Sequence, residues 1–233
     1  MSKGIQKIFS KVPHTYELIN HILTLGLDIF WRRRTAKIAA MENGTRWIDI
    51  CTGTGEMATY LSRFAPKKKR KAMIVAADFS LPMIRKGMEK SETNQIVFVL
   101  SEVKTLPFRD KTFDLVTISF ATRNININRD ALIRCLREFY RILKPEGRFV
   151  NVETSQPSSL LVRKLFHKYV RFFIKPIGHF FSGSMAGYSY LSHTIPRFYD
   201  ADKFADLIQQ VGFKEVTFDR MLLGVAAIHK AIK

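Results

Sequence analysis

Extended and helical hydrophobic periods alternate along this chain. Arg46–Ile50 reads as a short strand, Glu56–Phe64 as a helix, and Met73–Ala77 as an apolar strand ending at Asp78, which together make a βαβ unit. A helix near Ser80–Glu89, a strand over Ile96–Leu100 and, after the turn-like Arg109–Thr112, a strand over Leu115–Phe120 continue the rhythm. From Asp130 to Leu143 the residues Leu132, Cys135, Leu136, Phe139, Ile142 and Leu143 recur at helical spacing. Lys144, Pro145, Glu146 and Gly147 then stop the helix before a strand over Arg148–Val152. A helix over Ala201–Val211, a turn at Gly212 and strands near Lys214–Phe218 and Leu222–His229 close the pattern. Two strands so close in sequence are expected to pair as an antiparallel hairpin. The whole predicts an α/β fold, a mostly parallel sheet with a C-terminal antiparallel strand and helices on both faces.

Two regions depart from this rhythm. Residues 15–41 read as helical, with Tyr16, Ile19, Asn20, Leu23 and Leu27 on a shared face and Trp31 and Ile38 continuing beyond a break near Gly26. Residues 154–199 are rich in Phe, Tyr, Lys, Arg and His and contain a basic amphipathic helix around Leu160–Phe173.

Composition narrows the classes. With 233 residues and 46% apolar content, one domain with an appended helical part is expected. Cys51 and Cys135 are the only cysteines and have no paired spacing, which suggests neither a disulfide framework nor a zinc site and fits a reducing cytoplasm. No run of about 20 apolar residues and no leader-like N-terminus is found, so spanning and secretion are not expected. The net charge of +18 suits nucleic acid or an anionic membrane surface and does not choose between them. The block Lys67, Lys68, Lys69, Arg70, Lys71 reads as a solvated loop between a helix and a strand, with a docking patch as the alternative.

The densest chemical signal is Asp49, Ile50, Cys51, Thr52, Gly53, Thr54, Gly55, set between a strand and a helix. Paired glycines let the backbone turn sharply and admit a ligand close to main-chain atoms. Asp78, ending the next strand, is placed to accept hydrogen bonds from a ribose. Because Gly53, Gly55 and Ala58 also satisfy a looser dinucleotide pattern, the residues alone leave a nicotinamide enzyme and a methyltransferase open.

Resemblance decides between them. The Leu143–Gly147 helix stop, the Gly212–Phe213 turn and the terminal hairpin resemble the second half of class I methyltransferases. More narrowly, the chain is similar over almost its whole length to the UbiE/MenG family of quinone-biosynthesis C-methyltransferases, which act on demethylmenaquinol and its ubiquinone-pathway counterpart. The similarity lies in Tyr16–Asn20, Leu25–Gly26, Trp31–Arg33, Asp49–Glu56, Leu106–Phe108, Phe113–Ser119, Phe120–Asn124, Tyr140–Gly147, the late Tyr188, Tyr190, Leu191, Ile195, Phe198 segment, and Ala227–His229 with Lys233. Ala121 and Thr122 stand where the family commonly has Gly and Leu, and Glu102 where it commonly has Asn.

The resemblance implies a Rossmann-like seven-stranded sheet and S-adenosylmethionine as cofactor. It divides the single domain into a helical cap (1–43), a cofactor-binding half (44–153), a substrate- or membrane-facing insertion (154–199) and a C-terminal helix with hairpin (200–233). By the same resemblance Gly53, Thr54 and Gly55 contact the amino-acid part of the cofactor, Asp78 the ribose, Glu102 and Val103 the adenine region, and Ser119 the floor of the site. Asp49 has two readings, a turn residue or a partner for the cofactor's ammonium group.

The sulfonium methyl is already electrophilic, so no metal or protein nucleophile is expected, only alignment and exclusion of water. A ring carbon becomes nucleophilic once a neighbouring hydroxyl loses its proton. Arg123 is the candidate to stabilise that phenolate and Asn124 to orient the hydroxyl, with Tyr188, Tyr190 and His193 as further candidates for orientation or proton transfer. A prenylated acceptor places the enzyme in the cytoplasm, peripheral to the membrane, where Arg163, Lys164, Lys168, Arg171 and Lys175 among Leu161, Leu165, Phe172 and Phe180 suit anionic headgroups or snorkel over a packed lid. Methylation of another small molecule or of RNA, and cofactor binding or RNA binding without catalysis, are the alternatives, although no separate RNA-binding module is recognisable.

Overall fold

The computed structural model describes residues 21–41, 44–65, 72–93, 95–174 and 185–233. Tyr16–Asn20, the Lys67–Lys71 block, Lys175 and Phe180 therefore lie outside the described residues. Seven strands form one sheet: β1 (Arg46–Ile50), β2 (Met73–Asp78), β3 (Ile96–Leu100), β4 (Phe113–Ser119), β5 (Leu143–Thr154), β6 (Lys214–Met221) and β7 (Ala226–Ile232), in the spatial order β3-β2-β1-β4-β5-β7-β6. The first five strands pair in parallel, and β7 runs antiparallel between β5 and β6. The expected hairpin is thus present, and it is β7, the second of its strands, that joins the parallel sheet.

Alternation within the strands explains why both faces are covered. Trp47, Ile74, Ala76, Leu115, Val150 and Val152 pack on one face, and their neighbours Ile48, Val75, Ala77, Val116 and Phe149 on the other. The first face receives helix α1 (Leu27–Ala40) through Trp31, Ala36, Ala39 and Ala40, and α2 (Glu56–Phe64) through Met57, Ala58 and Leu61. The second receives α5 (Arg129–Ile142) through Leu132, Leu136 and Phe139 and α8 (Ala201–Gln210) through Phe204 and Ile208. Each large side chain buried this way stabilises the fold by roughly 1.5–3 kcal/mol.

Local chemistry sets the boundaries. Gly26, at φ 75°, precedes α1 and accounts for the break expected there. Asn128 and Asp200 cap α5 and α8 by accepting from the backbone N–H groups of Ala131 and Lys203. The Lys144–Gly147 stop is a bulge inside β5 rather than a turn before it: Leu143 pairs with Phe113, pairing resumes at Leu115–Arg148, and a Cβ on Gly147 would sit 2.7 Å from the Lys144 carbonyl. Two elements escaped the sequence reading, the helical turn α4 (Thr122–Ile125) directly after β4 and helix α7 (Met185–Thr194). Helices α3 (Leu81–Met88) and α6 (Leu160–Tyr169), the latter running into a π-turn over Val170–Ile174, stand where helices were expected. Leu23 packs with Val170 and Ile195, and the Tyr169 hydroxyl donates to the Leu23 carbonyl at 2.6 Å, fastening the insertion to the N-terminal segment.

Candidate active site

β1 pairs with β2 on one side and β4 on the other, so the connections leaving β1 and β4 diverge and open a crevice at the strands' carboxyl ends. All the backbone-supplied parts of the site lie along that edge. The loop Cys51–Gly55 follows β1, Asp78 ends β2, Ser101–Val103 follows β3, Ser119 ends β4 with Phe120 directly after it, and Glu153 and Thr154 end β5.

One groove along this edge is lined by Arg32, Thr52, Gly53, Thr54, Glu56, Asp78, Ser80, Ser119, Phe120 and Asn124 among others. A narrower cleft, sharing Cys51, Asp78 and Phe79 with it, continues to Glu102 and Val103. Asp78 stands at the junction. Its carboxylate accepts the backbone N–H of Gly53 at 2.9 Å and that of Ser80 at 2.8 Å, which leaves a lone pair on each oxygen for a ligand hydroxyl. Burial raises its pKa, an effect that the backbone N–H groups of Ser80, Gly53 and Phe79 partly offset. Two buried polar atoms at the groove, Ser80 Oγ and Asn124 Oδ1, have no hydrogen-bond partner among the described residues, and a Cβ on Gly53 would meet open space. A polar groove with unspent buried polar atoms beside a bare glycine loop suits an elongated ligand that carries polar groups along its length.

Three sequence expectations sit differently. Gly55 is not among the residues lining the groove; it takes φ 81° at the start of α2, where a Cβ would lie 3.0 Å from the Phe98 ring. Asp49 is fully buried beneath the loop, with one carboxylate oxygen accepting from Thr52 Oγ1 at 2.6 Å and the other from Thr117 Oγ1 at 2.8 Å. Burial pushes its pKa up to about 7 against those hydroxyls. Both of its oxygens are thus engaged by the turn and by β4, and Asp49 lines neither the groove nor the cleft. His193 is exposed and lies 2.9 Å from Arg197 Nη1. On α7 the cavity-facing residue is Leu191, followed by Ile195 one turn on, and a residue two positions from either points elsewhere on a 3.6-residue turn. The side chain of Tyr188 lies outside the described residues.

Beside the groove opens a second, apolar cavity of about 430 Å³, lined by Leu23, Leu27, Trp31, Val162, Leu165, Phe166, Tyr169, Leu191, Ile195 and Val225 among others. Arg32 and Phe120 line both spaces. Phe120 holds φ 52°, its N–H bonded to the Val152 carbonyl at 2.8 Å, and its ring lies 4.9 Å below the Arg32 guanidinium. A left-handed phenylalanine costs on the order of 1–2 kcal/mol and is retained here as the wall between the two spaces.

Arg123 reaches the apolar cavity from α4 with 7% exposure. Its Nη1 lies 3.2 Å from Glu153 Oε1 and 2.9 Å from Thr154 Oγ1, and its backbone N–H donates to Glu153 Oε2 at 3.0 Å. Its Nε–H is buried without a partner among the described residues. The pair thus supplies a cation held in place by Glu153 with one donor unspent, at the polar end of an otherwise apolar chamber. Tyr190 is close enough to feel both charges: burial raises its pKa, Arg123 opposes and Glu153 adds. Glu153 was not foreseen, because an acid at a strand end carries no signature until its partner's position is known.

The strand order, the crevice and the groove define a class I S-adenosylmethionine-dependent methyltransferase. Solved structures share that fold at low identity, among them an S-adenosylmethionine-dependent methyltransferase from Aquifex aeolicus (TM-score 0.60, 16% identical, covering 88% of this chain and 91% of that one). The model of the ubiE/COQ5 methyltransferase family matches residues 1–233, and the chain belongs to that family. Similar proteins include the ubiquinone/menaquinone biosynthesis C-methyltransferase UbiE of Desulfotalea psychrophila, 31% identical over 99% of this chain and 90% of its own length. The demethylmenaquinone methyltransferase of Lactiplantibacillus plantarum is 32% identical over 99% and 96%.

Proposed function

We propose that this methyltransferase methylates a ring carbon of a prenylated quinol, with demethylmenaquinol as its acceptor. The observation that carries the reading is the apolar cavity sharing Arg32 and Phe120 with the cofactor groove, so that a ring in one space meets a methyl donor in the other across a single wall. Both names borne by the relatives include menaquinone, which favours the naphthoquinol over the benzoquinol.

When bound, the cofactor supplies an electrophilic methyl group. Thr54 and Gly53 hold its amino-acid end, Asp78 its ribose, Glu102 and Val103 its adenine, and Ser119 the floor between. Phe120 keeps water from the transfer path. The unspent Nε–H of Arg123 donates to the quinol oxygen as negative charge develops there, and Asn124 orients the hydroxyl from the groove side. Tyr190, beside the Arg123–Glu153 pair, steadies the same oxygen.

The prenyl tail leaves through the cavity mouth. Leu25, Leu165, Leu222 and Leu223 all line the cavity yet are 82%, 58%, 52% and 74% exposed, a ring of leucines facing outward. With Arg163, Lys164 and Lys168 on α6 and a net charge of +18, this rim rests on an anionic membrane while α6 forms the lid. No helix among the described residues is long and apolar enough to cross a membrane. The test is transfer of labelled methyl from S-adenosylmethionine to demethylmenaquinol and to a demethylated ubiquinol precursor in detergent. Label on the naphthoquinol is expected. Label on neither acceptor, with the cofactor bound, overturns the acceptor assignment.

A further inference from the structure

The reaction must remove a proton from the acceptor hydroxyl, and Arg123, a permanent cation, does not take it. A different cluster lies at the seam of the two spaces. Asp28 lines the apolar cavity and Glu56 lines the cofactor groove, and His21 lies against both acids, its Nδ1 toward Asp28 and its Nε2 toward Glu56. His21 Nδ1 lies 2.9 Å from Asp28 Oδ2 and 3.1 Å from Oδ1, so the carboxylate fixes the tautomer that carries its proton on Nδ1. Asp28 is itself saturated. It accepts from Thr24 Oγ1 at 2.6 Å and from Arg32 Nη1 at 2.5 Å; burial works to raise its pKa, but Arg32, Thr24 and His21 together hold it below the usual carboxylate value. It therefore orients the imidazole and does not accept the proton.

The other ring nitrogen, Nε2, has no hydrogen-bond partner among the described residues, its nearest acid being Glu56 at 3.6 Å. The charged groups facing His21 there are Asp28, Glu56 and Arg32, with Asp49 beyond Arg32. Although His21, Asp28 and Glu56 have a spacing that a metal ion accepts, the Arg32 guanidinium already bridges the two acids, which suits an acid–base role better.

We propose that His21, oriented by Asp28, is the general base that deprotonates the acceptor hydroxyl. The inference rests on the phenol-type acceptor proposed above. The O–H bond breaks, its proton passes to Nε2, and the electron pair stays on oxygen, from which it enriches the adjacent ring carbon. After that carbon is methylated, its own proton moves to the oxygen and restores the quinol. One proton per turnover then leaves the imidazolium for water, which the side chain reaches with 25% of its surface.

Positioned general bases contribute about 10²–10⁴-fold. We expect His21→Gln to lower kcat about 100-fold with cofactor affinity kept. Added imidazole should restore part of the activity of His21→Ala. Asp28→Asn, which keeps the shape of the network, should fall in the same direction. A second readout needs no turnover: a 4-nitrophenol bearing a short prenyl chain, bound in the cavity, should ionise about one pH unit lower in wild type than in His21→Gln. A His21→Gln variant with kcat within twofold of wild type, or with the bound nitrophenol ionising as in wild type, overturns the proposal. If wild type methylates no quinol yet ionises the nitrophenol through His21, the acceptor assignment falls and the base stands.

Discussion

Removing the Arg123 side chain tests energetics and chemistry together. Glu153 is 1% exposed, and its carboxylate is held by the Arg123 guanidinium, the Arg123 backbone N–H and Thr154. Arg123→Ala keeps the backbone and threonine donors but leaves a buried charge without its cation. Breaking a buried pair in this way costs about 3–5 kcal/mol. For a domain of this size each kcal/mol moves Tm by about 2–4 °C, so a fall on the order of 6–20 °C is expected. Lost activity in that variant would not by itself separate catalysis from folding. Arg123→Ala combined with Glu153→Gln removes the stranded charge, and most of the lost stability should return while methyl transfer does not. Arg123→Lys keeps the charge without the planar fork and should be stable but slow. Calorimetric melts with cofactor-binding and labelled-methyl assays on all four proteins decide the matter. Recovery of both stability and activity in the double variant would refute Arg123 as the group that stabilises the acceptor oxygen.

Two other outcomes follow from the same geometry. Asp78→Asn keeps one acceptor oxygen and turns an NH₂ group toward the N–H of Gly53 or Ser80, so titration calorimetry should show S-adenosylmethionine affinity falling about 10–100-fold, the worth of hydrogen bonds to a charged group; affinity within twofold would remove Asp78 from the ribose site. His229 is buried, its Nε2 lies 2.9 Å from the Ala201 carbonyl, and burial lowers its pKa to about 4. The unfolded chain takes up that proton near pH 6.5 and the folded one only near 4, so stability is full above the unfolded value and falls by about 3 kcal/mol as pH drops between the two. Chemical denaturation from pH 7 to 4 should show this loss, and His229→Phe, whose ring suits the contacts with Phe204 and Phe218, should flatten it.

Much of the fold was legible because its signals are local. The 3.6-residue recurrence from Leu132 to Ile142, the apolar runs of β1 and β2, and the glycines after β1 each depend on neighbours within a few residues. The lining of the groove and cleft was legible for the same reason: Gly53, Thr54, Asp78, Glu102, Val103 and Ser119 sit at or just after strand ends, which the alternation of elements locates, and parallel strands bring their ends to one edge. The acceptor side was not. Glu153 matters only because β5 lies beside β4 and points it at Arg123, thirty residues away in the chain. Asp28, on α1, and His21, in the segment just before it, come together with Glu56 at the start of α2 only in the folded chain, and His193, which by residue type alone looked eligible, is exposed on α7. Residue type and spacing determine which groups the chain carries and which element each rides on. Only the packing of distant elements decides which of those groups share a cavity, because burial, charge pairing and an unspent donor are properties of the space between elements.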